Sequence, residues 1–192
     1  MFKRILVLAP HTDDGELGCG GAVARFLEEG REVFQAAFSA AARSLPKSCP
    51  PDTLVREWKA ATSAIGIPAG NLVRYDFPVR EFPAYRQEIL ENIIVLRREL
   101  KPDLVLLPAL EDIHQDHQTI ALEGIRAFKQ ISILGYELPW NNLYFRNNSF
   151  IILQEPHLRK KAAALACYHS QAHRPYCGET FLLSLARLKK NV

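Results

Sequence analysis

The chain has 192 residues, of which 48% are hydrophobic and 23% charged, a composition that excludes a disordered polymer and fits one globular domain with a sizeable core. The formal net charge is only +3 and the basic residues are scattered, so we expect no nucleic acid partner. The apolar run Ile5 to Ala9 is too short for a signal peptide or a membrane span, and we expect a cytoplasmic protein with reduced cysteines.

Strand-like and helical patterns alternate along most of the chain. The pattern predicts strands at 5–9, 33–38, 72–77, 103–108, 133–138 and 143–153, and helices at 22–29, 53–65, 85–100, 118–129, 156–168 and 181–190. Such alternation predicts a single-domain α/β fold over residues 1–192, with a doubly wound, mostly parallel sheet and helices on both faces. The stretch Ala40 to Asp52, rich in small residues, Ser and Pro, is expected to be a mobile surface loop.

Two clusters of histidines and acids follow two of the predicted buried strands. The first strand runs into residues 11–14, and the strand ending at Pro108 runs into residues 111–117. Ligands of open α/β sheets bind beyond the carboxyl ends of the strands, so we expect the two clusters to converge. His11, Asp14 and His117 would then supply the three protein ligands of a catalytic zinc site.

The remaining polar residues of the two clusters suit the chemistry beside such an ion. Asp13 is expected to be the general base that takes a proton from water. His114 is expected to donate a hydrogen bond to an oxyanion, and Asp116 to orient a histidine. The structural alternative is that Asp13 merely caps a helix, but adjacent acids repel one another unless a cation is present.

The glycine-rich segment 18–21 follows the first cluster. It lacks the GxGxxG order of a dinucleotide loop, and the acids before it would repel a pyrophosphate. We interpret its glycines as allowing close packing of the backbone at the start of the first helix.

The two clusters carry a family resemblance. Residues 11–21, HTDDGELGCGG, resemble the HPDDE-x-x-G-C-G-G signature of the PIG-L/LmbE deacetylases, and His114 to His117 match their HxDH motif. Further along, Arg56-Glu57 resembles the family's R-E helix, Phe77 to Arg80 its LPDR-like loop, and residues 165–171 its late YxSQ element. The resemblance therefore extends over most of the chain.

The resemblance implies a Rossmann-like fold and a metal-dependent hydrolase that removes an N-acetyl group from an N-acetylglucosamine-type sugar or sugar conjugate. Residues and resemblance together predict the metal ligands His11, Asp14 and His117 and the catalytic residues Asp13, His114 and Asp116. The resemblance alone implies that Arg56 and Arg80 bind the substrate. Zinc is the expected cofactor, although Fe²⁺ or cobalt can occupy a site with the same ligands. Relatives of this kind often form homo-oligomers, but no apolar stripe in the sequence argues for one.

Two positions depart from the family pattern. Thr12 stands where the signature has proline, and Gly15 stands where it has glutamate, with Glu16 following at once. Two other functions remain open: an amidase acting on another acyl or thiol-conjugate amide, and a metal-free sugar or nucleotide binding module whose catalytic site has decayed. Only the substitution at Gly15 supports the binding module.

Overall fold

The computed structural model describes residues 2–46, 49–144, 146 and 148–190, with the backbone alone at 189 and 190. Its five strands are β1 (Arg4–His11), β2 (Glu32–Ser39), β3 (Leu72–Arg74), β4 (Leu104–Pro108) and β5 (Ser132–Tyr136). They form one sheet in the order β3-β2-β1-β4-β5, and every neighbouring pair is parallel. The predicted doubly wound α/β fold is confirmed.

Helices cover both faces of this sheet. They are α1 (Asp14–Glu28), α2 (Thr53–Ile65), α3 (Arg86–Leu100), α4 (Gln115–Ala127), α5 (Glu155–Ala166) and α6 (Glu179–Lys190). Side chains of α1, α2 and α5 share one apolar core, and those of α3 and α4 share the other. Among the described residues, no helix has the length and apolar character needed to cross a membrane.

Strand β1 lies at the centre and supplies both cores. Ile5 and Val7 face one core, Leu6 and Leu8 face the other, and all four are fully buried. The sheet grows from β1 in one direction through β2 and β3, and in the other through β4 and β5. The carboxyl ends of β1 and β4 therefore flank the switch point of the topology, where such folds bind ligands.

The first helix begins earlier than predicted. Helix α1 starts at Asp14, not at Ala22, and contains the whole glycine-rich segment 18–21. Glycine weakens an isolated helix by about 1 kcal/mol, so the sequence pattern predicts a helix only after these glycines. Packing of α1 against its neighbours outweighs this weak local preference.

Two strand predictions are also corrected. Strand β3 ends at Arg74 because the following residues bond to β2 only intermittently, through Tyr75 and Phe77. No strand occurs among the described residues of the predicted strand 143–153, of which 145 and 147 lie outside the described set. The predicted loop 40–52 contains a short 3₁₀ helix at Ala42–Ser44, and its residues 47 and 48 also lie outside that set.

Close packing explains two of the glycines in α1. A Cβ atom on Gly18 would lie 2.2 Å from Cδ2 of Tyr136, and one on Gly21 would lie 2.6 Å from Cδ1 of Leu153. The Tyr136 ring is buried, and its hydroxyl donates to the Leu8 carbonyl at 3.0 Å. The packing interpretation of these glycines is thus confirmed, although they lie within the helix and not at its start.

We expect Gly18→Ala to lower the free energy of unfolding by about 1–3 kcal/mol, because the added methyl group overlaps a ring that is held in place. Gly20→Ala in the same helix is the matched control. Its Cβ would have its nearest neighbours at 3.4 Å, so it is expected to be neutral or to gain up to about 1 kcal/mol of helix propensity. Urea unfolding measures both; equal stability of the two variants would contradict the packing argument.

Candidate metal centre

The two clusters of histidines and acids meet at the topological switch point. His11 is the last residue of β1 and Asp14 the first of α1, whereas His117 lies in the first turn of α4, which follows β4. All three side chains are buried, and they border a cavity of about 440 Å³. The prediction that the two loops converge is confirmed.

Three donor atoms form a nearly equilateral triangle. His11 Nδ1 lies 3.1 Å from Asp14 Oδ2, His117 Nε2 lies 3.2 Å from the same oxygen, and the two nitrogens are 3.3 Å apart. Ligands at about 2.0–2.1 Å from a tetrahedral zinc ion are roughly 3.3–3.4 Å from one another. The triangle therefore has the size and the donor chemistry that a zinc ion requires, and its three residues border the cavity.

A carboxylate contacts each of the two histidines at the ring nitrogen that points away from the triangle. Asp116 Oδ2 lies 2.9 Å from His11 Nε2, and Asp112 Oδ2 lies 2.7 Å from His117 Nδ1. Each carboxylate occupies the ring nitrogen that points away from the triangle, so the other nitrogen is left as a metal donor. Asp112 was not among the predicted site residues; its only sequence signal is its place in the acidic segment 111–116.

The three side chains of the triangle have strongly shifted pKa values. Burial raises the pKa of Asp14, but the neighbouring imidazolium charges of His117 and His11 hold it well below its usual range. Burial lowers the histidine pKa values, yet the Asp14 charge and the carboxylate bonds raise that of His11 to about 9 and that of His117 to about 10. The Asp14 charge and the two imidazole rings thus favour a positive charge at this point, which a divalent ion would supply.

Asp13 faces the cavity next to the triangle. It precedes α1, but its side chain makes no capping hydrogen bond, so capping does not account for it. Burial and the Asp14 charge raise the pKa of Asp13, while the charges of His11 and Arg174 act in the opposite direction. A half-buried carboxylate with a raised pKa in a cavity has the chemistry of a general base.

His114 presents a hydrogen-bond donor to the same cavity. Its Nδ1 accepts the backbone N–H of Asp116 at 3.2 Å. Burial and the charges of His117 and His11 lower its pKa to about 4, so the ring is neutral near pH 7 and carries its proton on Nε2. Ligand nitrogens of His11, His114 and His117 also lie within 4.8 Å of one another, but the shorter triangle through Asp14 is the better metal set.

The two predicted substrate-binding arginines lie in different surroundings. Arg80 borders the cavity, and its backbone N–H, at φ 70°, donates to Asp116 at 2.6 Å. Arg56 lies on the exposed face of α2, where it pairs with Asp52 at 3.2 Å, and it is not among the described residues that border the cavity. The structure therefore brings Arg80 to the site but not Arg56.

Glu57, the neighbour of Arg56, has a structural role that the sequence analysis missed. Its carboxylate is buried and accepts the backbone N–H of Ser170 at 2.8 Å and the Ser170 hydroxyl at 2.6 Å. It thereby ties α2 to the late segment that resembles the YxSQ element. The next residue of that segment, Gln171, borders the cavity.

The departure at Gly15 has a packing explanation. A Cβ atom on Gly15 would lie 2.7 Å from Nε2 of Gln35, which donates instead to the fully buried Glu16 at 3.1 Å. Burial raises the pKa of Glu16 to about 8. The Tyr168 hydroxyl donates to the Thr12 carbonyl at 2.7 Å and lies 3.3 Å from Glu16. The Tyr168 hydroxyl thus connects Glu16 to the turn that precedes Asp14.

Comparisons with known proteins agree with this geometry. A model of the GlcNAc-PI de-N-acetylase (PIG-L) family matches residues 6–128. The uncharacterized deacetylase YaiS of Escherichia coli is 27% identical over 177 residues, which cover 88% of this chain and 91% of YaiS.

Solved structures share the fold at low identity. N,N'-diacetylchitobiose deacetylase from Pyrococcus horikoshii superimposes with a TM-score of 0.74 at 18% identity, covering 97% of this chain and 78% of that one. GalB, the 4-carboxy-2-hydroxymuconate hydratase from Pseudomonas putida, reaches 0.77 at 20% identity, covering 98% and 88%. Similarity at this level shows the fold alone.

Asp112→Asn is expected to weaken zinc binding by roughly 10- to 100-fold, because the amide orients and polarises His117 less well than the carboxylate does. Competition with a chelating dye measures the affinity. Glu111→Gln, at the neighbouring position, is the control and should bind zinc like the unmodified chain. If both variants kept full affinity, the support of His117 by Asp112 would be refuted.

Proposed function

The chain belongs to the GlcNAc-PI de-N-acetylase (PIG-L) family, and on that basis we propose that it is a zinc-dependent N-deacetylase of an N-acetylglucosamine-type sugar or sugar conjugate. The triangle of His11, Asp14 and His117, which borders the cavity next to Asp13, is the observation that carries the proposal. It combines a site for a Lewis acid with a base in one cavity.

The ion would be held by His11, Asp14 and His117, with Asp116 and Asp112 fixing the imidazole rings. When bound there, zinc supplies a Lewis acid for the acetamide carbonyl and lowers the pKa of water at its fourth ligand position. All other roles fall to side chains of the chain itself.

Asp13 accepts the proton of the attacking water, and His114 donates its Nε2–H to the oxygen that becomes negative in the tetrahedral intermediate. The proton held by Asp13 then passes to the leaving nitrogen, so the products are acetate and a free amine. Arg80 is placed to bind sugar hydroxyls at the cavity wall. A substrate contact of Arg56 stays a prediction from the resemblance.

The two other functions lead to different measurements. An amidase for another acyl or thiol-conjugate amide would release a larger acid faster than acetate. A decayed binding module would hold no stoichiometric metal and hydrolyse nothing. The substitution at Gly15 was its only support, and the packing of Gly15 against Gln35 now accounts for that residue. The cytoplasmic location and the single-domain organisation stay predictions.

We expect Asp13→Asn to lower kcat for acetate release from N-acetylglucosamine derivatives by about 10²- to 10⁴-fold, because it removes the proton acceptor. Its zinc content should stay stoichiometric. Asp14→Asn, one residue along, is the matched comparison and should lose zinc affinity as well as turnover. Acetate release and metal analysis are measured on the same preparations. Unchanged turnover of Asp13→Asn would show that another group is the base.

A further inference from the structure

A second cavity, of about 430 Å³, lies between α1, β5, α5 and the segment 148–153. We call it the lysine cavity, because Lys161 of α5 is the only charged residue among the described residues that border it. Within the described part of the chain, it shares no bordering residue with the cavity at the metal centre. Its volume lies in the range of sites that bind small molecules, roughly 300–1,000 Å³.

Most of the wall of the lysine cavity is apolar. Leu106 of β4 and Tyr136 of β5 are buried there, and Leu153 packs against Gly21 of α1. Tyr136 contributes its ring to this wall, because its hydroxyl donates to the Leu8 carbonyl at 3.0 Å. An apolar lining of this kind favours a ligand with an apolar body.

The ammonium group of Lys161 provides a positive charge at this wall. Its Nζ donates to the Leu17 carbonyl of α1 at 2.6 Å, the one hydrogen bond of this group that the described residues provide. An ammonium group has three N–H donors, so two remain for a ligand. Burial lowers the pKa of Lys161 to about 8, and the group is therefore still mostly protonated at pH 7.

Lys161 has no carboxylate partner in the described part of the chain. On the same helix, His157 and Arg159 each contact a glutamate, whereas no described carboxylate lies within ion-pair distance of the Lys161 amine. The neighbouring thiol of Cys19 does not replace one, because burial raises its pKa to about 12 and keeps it neutral near pH 7. A charge removed from water without a counter-charge is unfavourable, and an anionic ligand would relieve this cost.

We propose that the lysine cavity binds a monocarboxylate with an apolar body. The carboxylate pairs with Lys161, and the apolar body lies against Leu106, Tyr136 and Leu153. A single negative charge matches the single ammonium group, whereas a phosphate monoester would bring a charge of about −1.5 to −2 at pH 7. This site is separate from the metal centre and does not depend on the proposed deacetylase function.

Calorimetric titration of the zinc-loaded full chain with octanoate, octanamide, octyl phosphate and acetate tests the proposal. We expect octanoate to bind roughly 10- to 100-fold more tightly than the neutral octanamide, the value of a hydrogen bond between charged groups. Acetate lacks the apolar body, so it should bind more weakly than octanoate and should not displace it. Tighter binding of octyl phosphate than of octanoate would overturn the choice of a carboxylate.

Lys161→Met should abolish the preference for octanoate over octanamide, because methionine keeps an apolar stem but carries no charge. Lys160→Met, at the adjacent exposed position of α5, is the matched control and should keep the full preference. Thermal melting of the ligand-free variants checks their folding. If Lys161→Met did not fold, Ala22→Leu retains the lysine and narrows the cavity, so it should weaken binding of octanoate and octanamide alike.

A carboxylate can also bind a zinc ion, and the Asp14→Asn chain separates the two sites. This variant should lose zinc but bind octanoate as tightly as the unmodified chain does. Octanoate affinity that falls with the loss of zinc, equal binding of octanoate and octanamide, or an unchanged preference in Lys161→Met would each overturn the proposal. These measurements do not involve acetate release, so the proposed deacetylase function stands or fails independently.

Discussion

The candidate site depends on one shared carboxylate oxygen. Asp14 Oδ2 lies between His11, the last residue of β1, and His117, in the first turn of α4. A further carboxylate contacts each imidazole on the side away from Asp14. Five ionisable side chains are thus buried together, an arrangement that is unfavourable without a compensating positive charge. The raised pKa values of His11 and His117 favour a positive charge on both rings, and a divalent ion would supply the same compensation.

The fold places this buried cluster at the switch point of a parallel sheet. There β1 and β4 run parallel, paired from Ile5 and Leu104 to Val7 and Leu106, and both lead into their polar clusters at the same edge of the sheet. Apolar cores pack on both faces of the two strands. The same architecture also occurs in GalB, a hydratase, so the sheet alone does not decide the chemistry. The side chains of the two clusters that follow β1 and β4 decide which reaction the site can support.

The other residues that border the cavity lie away from the ends of β1 and β4, mostly in loops and short 3₁₀ helices. Trp140 follows the edge strand β5, and the segment from Ser170 to Tyr176 is anchored through Glu57 of α2. Arg174 acts on Asp13 in the same cavity, since its charge opposes the burial that raises the pKa of Asp13.

The alternating fold and the meeting of the two clusters follow from the sequence alone, because strand ends of a parallel sheet meet at one edge. His11, Asp14 and His117 are predicted metal ligands, and the fold brings their donor atoms within 3.3 Å of one another. The sequence pattern misplaces the start of α1, since the low helix preference of glycine opposes the packing that stabilises the helix. The pairing of Asp112 with His117 and of Asp116 with His11 becomes visible only in the folded chain. The same is true of Arg174, which borders the cavity, and of Arg56, which instead pairs with Asp52 on the surface. Such pairings depend on the relative placement of segments distant in the chain, which no local spacing encodes.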